Sequence, residues 1–291
     1  MPKKFIFLSI IVVIVFGVSL DYLSQRIFRL ETELKPLRSL PSQNFFLQMR
    51  VKTLQSIISH EMFSGQGDIH AFKSSQDKEA IDDTFISEDT KTTNFNWGES
   101  GTLKIGRDHL GHLSRALIRF KEIKKALSLD LNRQILSAIV YLKQQPNFSQ
   151  GLPALKQVLN LYEVKKNWGE GNKMGVPAAA GESTWNAAQK ASLNWESPGC
   201  SGKDDFDEVT LVATSGPTVN SFADGWVGFV FTKEGILELQ QQLQSATSGD
   251  YSFLIQSQEE DSPNSAVSFY SSESSTLNDH PYIEILYVDL Y

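Results

Sequence analysis

Carboxylates crowd together twice in this chain. Asp204, Asp205, Asp207 and Glu208 lie within five residues, and Asp82, Asp83, Glu88 and Asp89 within eight. Hard oxygen ligands at that density suit Ca²⁺, which makes Asp204, Asp205 and Asp207 the candidate calcium ligands and Ca²⁺ the candidate cofactor. The spacing fits neither an EF-hand nor an aspartate-rich repeat, so solvated loop charges are the standing alternative. Paired carboxylates also serve glycoside hydrolysis, but they must oppose one another across a cleft. Nothing in the sequence sets up such a pair. His109 and His112 are spaced to share a metal or to decorate a polar loop. Cys200, the single cysteine, sits in SPGCSG with no histidine beside it, and reads as a turn residue with an exposed thiol. There is no Gly-x-Ser-x-Gly elbow, phosphate-binding loop or His-Glu-x-x-His. No catalytic residue is assigned, and the chain reads as a non-enzyme.

A second chemistry is sugar recognition. The C–H-rich face of a pyranose packs on a flat aromatic ring while polar side chains satisfy its hydroxyls. Five tryptophans are available: Trp97, Trp168, Trp185, Trp195 and Trp226. Trp185 and Trp195, flanked by Asn186, Asn194 and Glu196, form the candidate ligand-binding set. The same rings can instead anchor turns or fill the core, and so can Trp226 and Tyr162.

These residues need elements to position them. Short apolar runs at Thr102 to Ile105, Ala116 to Phe120, Ser137 to Leu142 and Val158 to Val164 read as strands, as do Val209 to Ala213, Val227 to Phe231, Tyr251 to Gln256, Val267 to Tyr270 and Tyr282 to Tyr287. Gly, Pro, Asn and Ser turns separate them. The pattern predicts an all-β fold, an antiparallel two-sheet β-sandwich spanning residues 76–291. Two segments interrupt it with helical spacing: Ile123 to Leu131, and Gly235 to Ser245 with Ile236, Leu239 and Leu243 on one face. Residues 24–75 predict a helical stalk or linker. Ile27, Leu30 and Leu34 mark a first helix, and Phe46, Met49, Leu54, Ile57 and Ile58 stripe a second from Ser42 to Phe63. That stripe is either a collar on the main domain or a short assembly element, which leaves an oligomer open.

Residues 1–23 carry a targeting signal. Lys3 and Lys4 precede a charge-free apolar run from Phe5 to Leu20. As a helix the run reaches ~24 Å, short of a ~30 Å hydrocarbon core, which suits a signal peptide; Tyr22 and Leu23 could extend it into a signal-anchor helix. Either reading places the protein outside the cytoplasm, secreted or membrane-anchored at the cell surface. A formal net charge of −7 offers no general attraction for nucleic acid or an anionic membrane surface. The hydrophobic fraction of 41% supports a real core, and with one cysteine that core must hold by packing rather than disulfides.

Six short motifs, in order, give the chain a family likeness. An aspartate-threonine strand, Asp83 to Ile86, is followed by the turn Asn96, Trp97, Gly98 and the strand Leu103 to Gly106. An arginine strand contains Arg115, Leu117, Arg119 and Phe120. Trp168, Glu170 and Gly171 match a Trp-x-Glu-Gly element; Thr184, Trp185 and Asn186 match Thr-Trp-Asn; Trp195 and Gly199 match Trp-x-x-x-Gly. Phe269, Ser272, Glu273, Pro281, Tyr282 and Tyr287 match the closing pattern. In this the chain resembles the DNRLRE, or disaggregatase-related, CBM96-like carbohydrate-binding module. Lys121 stands where the family has aspartate, and His280 where it has arginine. The resemblance implies a jelly-roll-like sandwich and non-catalytic binding of a polysaccharide or cell-surface glycan. The alternative is a structural or adhesion subunit of an extracellular assembly.

Overall fold

The computed structural model describes residues 69–121, 123–127, 133–145, 157–216, 225–244 and 250–289. The leader expected over 1–23 and the helices expected between 24 and 63 lie outside the described residues. Among the described residues no helix is long and apolar enough to cross a membrane.

The described chain is mostly β. Its strands are β1 (Ile69–Lys73), β2 (Ile81–Ser87), β3 (Phe95–Asn96), β4 (Thr102–Arg107), β5 (Leu113–Phe120), β6 (Arg133–Gln145), β7 (Leu159–Glu163), β8 (Val176–Pro177), β9 (Ala187–Gln189), β10 (Leu193–Asn194), β11 (Ala213–Thr214), β12 (Gly225–Phe231), β13 (Tyr251–Ser257), β14 (Val267–Tyr270) and β15 (Tyr282–Asp289). Two helices, α1 (Ile123–Leu127) and α2 (Lys233–Gln244), interrupt them where the helical spacing predicts. All described strand pairings are antiparallel.

The sheet departs from the expected sandwich by closing. The pairing order β6-β12-β11-β7-β13-β5-β4-β14 returns to β6. Closure rests on two short seams. Gly106 and Arg107 of β4 pair with Ser114 and Leu113, and Ser268 and Phe269 of β14 pair with Gln145 and Gln144. The result is a barrel-like ring of eight strands, in which the edges a sandwich would leave open are hydrogen-bonded. Outside the ring β2 joins β5, β15 joins β6, and β1 joins β15. β1 corrects the expected stalk boundary: Ile69 to Lys73 is sheet, because Phe72 pairs with Ile285 and packs on the core. The strand expected at Val209 to Ala213 is only β11.

Alternation sorts the strands β2, β5, β13 and β7 between two cores. Ala116, Ile118 and Phe120 of β5 point inward with Val140, Leu142, Phe229, Phe231, Phe253 and Ile255. The opposite phase, Leu113 and Leu117, points outward into a second apolar cluster with Ile86, Leu254, Trp168, Trp185, Trp195 and Cys200. That second core fills the space between the sheet β2-β5-β13-β7 and a long excursion, residues 165–212. α2 contributes to the first core. Thr232 Oγ1 caps it by accepting from the Gly235 N–H (2.9 Å), and Leu239 and Leu243 pack inward.

Candidate functional site

The excursion is pinned by the arginines of β5. Arg115 grips Glu260 with two parallel bonds, Nε to Oε1 at 2.8 Å and Nη2 to Oε2 at 2.7 Å, and donates from Nη1 to the Gly199 carbonyl (2.7 Å). Arg119 lies over the Trp168 ring, 4.6 Å from its centroid, and donates to the Trp168 carbonyl (2.6 Å) and to Asp82 (3.2 Å). Trp168 in turn donates Nε1–H to Ser252 Oγ (2.9 Å). These guanidiniums bind the fold's own backbone and carboxylates.

The expected platform of Trp185 and Trp195 is not there. Both rings are buried, 9% and 4% exposed, within the second core, and Trp195 Nε1–H is spent on the Thr184 carbonyl (2.9 Å). With Trp168, Ala188, Cys200 and Phe206 they are the apolar mass that holds the excursion on the sheet. The flanking polar residues stay near the surface. Asn186 Nδ2 donates to Asn94 Oδ1, the Asn194 carbonyl accepts from Lys166 Nζ, and Glu196 Oε2 accepts from the Asp204 N–H.

The expected calcium ligands do not converge. Asp205 is fully buried, and its carboxylate accepts from the N–H groups of Glu196, Ser197 and Gly202 and pairs with Lys166 Nζ at 2.7 Å. Burial works against its charge, but Lys166 and those amides prevail and hold the carboxyl below its ordinary range. Asp207 is lowered mainly by a hydrogen bond from Thr210, and Asp204 is exposed. Among the described residues no group of three His, Cys, Asp or Glu side chains is placed to hold a metal ion. Cys200 corrects the exposed-thiol expectation, since it is buried and its thiol is pushed up by burial.

The motif residues meet instead in a buried polar network on the free edge of β2. Glu170 Oε1 accepts from the Asp83 N–H (2.7 Å), and Asp83 Oδ2 accepts from the Ser272 N–H (2.7 Å). Asn96 Nδ2 donates to the carbonyls of Glu170 (2.6 Å) and Ser183 (3.1 Å), while its Oδ1 accepts from the N–H groups of Gly98 and Lys173. Asp83 is 1% exposed, and its Oδ1 has no hydrogen-bond partner. Burial pushes its carboxyl up to about 7 and raises Glu170 well above the usual carboxylate range. A second acid pair joins Glu238 of α2 to Glu163 of β7, where burial and the neighbouring Glu163 raise Glu238.

The exposed aromatic face lies elsewhere, on the outside of β15-β6-β12. Trp226 is 42% exposed and stands edge-on to Tyr282, centroids 5.1 Å apart. The half-buried Tyr282 stacks flat on Tyr141 at 4.7 Å and 16°, covering that ring so that it is only 4% exposed, and Lys73 Nζ sits 3.8 Å over the Tyr282 ring. Lys143, directly opposite Trp226 across the strands, pairs with Asp279 at 2.7 Å. This is a strip of rings bordered by ammonium and carboxylate groups on a rigid sheet face.

Compared with known proteins, the chain matches no family model, and no curated protein is similar to it. The likeness to carbohydrate-binding modules therefore rests on the motifs themselves, and the structure shows these as a set of fold-holding contacts. Trp226 carried a readable signal. In Gly225–Phe231 the residues Val227, Phe229 and Phe231 take the inward phase, which leaves Trp226 facing out. Tyr141 carried none, because the run SAIVYL is apolar in both phases.

Proposed function

We propose that the protein is a non-catalytic carbohydrate-binding module acting outside the cytoplasm, with its glycan seat at Trp226 and the neighbouring Tyr282. The carrying observation is Trp226, a large ring 42% exposed on a strand whose other large side chains are buried. The exposed Trp226 ring, braced edge-on by Tyr282, gives a pyranose an apolar surface, and Lys143, Asp279 and Lys73 border it. The closed ring is then a flattened, jelly-roll-like sandwich: β1-β15-β6-β12 is the binding face, and β2-β5-β13-β7 carries the excursion. Retardation in polysaccharide-containing gels, with Trp226→Ala against the unaltered chain, tests the reading. Saturable retardation lost in Trp226→Ala supports it; retardation unchanged by that substitution moves the seat off this face.

One observation favours the assembly alternative. Met174 and Val176, 64% and 46% exposed, present apolar surface beside β3 and β8. Sedimentation of the full chain over a concentration series tests it, since self-association lost in Met174→Lys would assign that patch to an interface.

A further inference from the structure

Asp83, Glu170 and Ser272 belong to three separate stretches of chain: β2, the excursion, and the loop between β14 and β15. Their contacts are the two 2.7 Å bonds that tie those stretches together. The charged groups around them are already committed. Asp82, next on β2, is paired with Arg119 at 3.2 Å and Lys121 at 2.5 Å. Glu273, beside Ser272, lies 3.8 Å from Lys78. His280 holds the far end of the same loop through the carbonyls of Gln76 and Ser274. Among the described residues no cation forms an ion pair with Asp83 or Glu170, so four carboxyls share a pocket whose cations serve two of them.

We propose that Asp83 and Glu170 form a proton-held latch: protonated, they pin the excursion and the β14–β15 loop to the edge of β2, and their ionisation releases the segment 167–199. Amide donors from Ser272 and Asp83 favour the anions, as does Lys121 for Glu170, but the full burial of Asp83 and the half-burial of Glu170 outweigh them. Among the described residues neither anion has a cation paired with it in the closed state and Asp83 Oδ1 has no hydrogen-bond donor, whereas an opened excursion gives both carboxyls to solvent. Opening therefore releases the protons these carboxyls hold, and its equilibrium constant rises with pH.

Native-state hydrogen exchange of the full chain, corrected for the intrinsic rate, reads this directly. Opening of 167–199 is expected to rise with pH between about pH 5 and about pH 7, about tenfold per pH unit for each carboxyl that ionises, while the strands β6 and β12 hold their protection. Asp83→Asn and Glu170→Gln keep the acceptor oxygens and mimic the protonated groups, so each should flatten that slope. A wild-type slope of zero, or the same slope in both variants, overturns the latch. If Asp83→Asn fails to fold, Glu170→Gln together with the excursion-against-barrel contrast in the wild-type chain still decides.

Discussion

Asp205 shows at the residue scale why an acidic run is ambiguous until it is folded. Four carboxylates in five residues have the composition of a cation loop, yet Asp205 turns inward to organise backbone N–H groups and Lys166. Its neighbours face solvent or cap locally. Sequence spacing gives ligand density but not which oxygens are already engaged. Asp205→Ala should strand those buried amides and Lys166 and cost about 3 kcal/mol, measured by urea unfolding; a loss under about 0.5 kcal/mol would return the residue to the solvated-loop class. Cys200 makes the complementary case. Its thiol is fully buried in the second core, so a maleimide should label the native protein only at the rate of opening and label it promptly once denaturant unfolds it.

At the element scale, strand positions were legible because alternation is local. β5, β6, β12, β13, β14 and β15 fall where the apolar runs are, and α2 falls where its stripe is. Ring closure was not legible, since it depends on joints of two residue pairs each: both sides of β11, and the seams Gly106–Ser114 with Arg107–Leu113 and Ser268–Gln145 with Phe269–Gln144. Such contacts leave no periodic trace. β1 escaped for a related reason: five residues, IHAFK, make a strand only because β15 offers an edge. The tryptophans divide by the element that carries them. Trp168→Ala removes a ring 1% exposed and should cost about 3–5 kcal/mol, whereas Trp226→Ala should stay within about 1 kcal/mol and change glycan retardation instead. Equal costs in thermal unfolding would mean that Trp226 is core and would remove the proposed seat. Gly171→Ala tests the motif network without touching an aromatic: φ is +86° and a Cβ would run into the Asn96 amide. A loss of about 2 kcal/mol or more is expected, and Ala accommodated at no cost would show the turn to be slack.

For the whole molecule, two sets of carboxyls pull the pH dependence of stability in opposite directions. Asp205 and Asp207 have lowered folded-state values, so their contribution is present above the unfolded value of about 3.9 and fades as pH falls through the folded one. Asp83 is raised to about 7 by burial, and Glu170 is raised with it. Between the unfolded and folded values of a raised acid, the native state holds a proton that the unfolded chain has lost, so stability falls as pH rises. For Asp83 that window runs from about pH 4 to about pH 7, and the slope is up to about 1.4 kcal/mol per pH unit for one proton. Stability should therefore peak in mildly acidic solution and decline toward neutrality, against the usual expectation for a chain of net charge −7, whose self-repulsion also grows with pH. Asp83→Asn separates the two causes. It removes the proton release and leaves the surface charge nearly as it was, so the variant should be less stable than the wild-type chain near pH 4 or equal to it, and more stable near pH 8. Urea unfolding midpoints at several pH values would show the two curves crossing. Parallel curves would assign the decline to surface repulsion and leave Asp83 an ordinary buried hydrogen-bond acceptor.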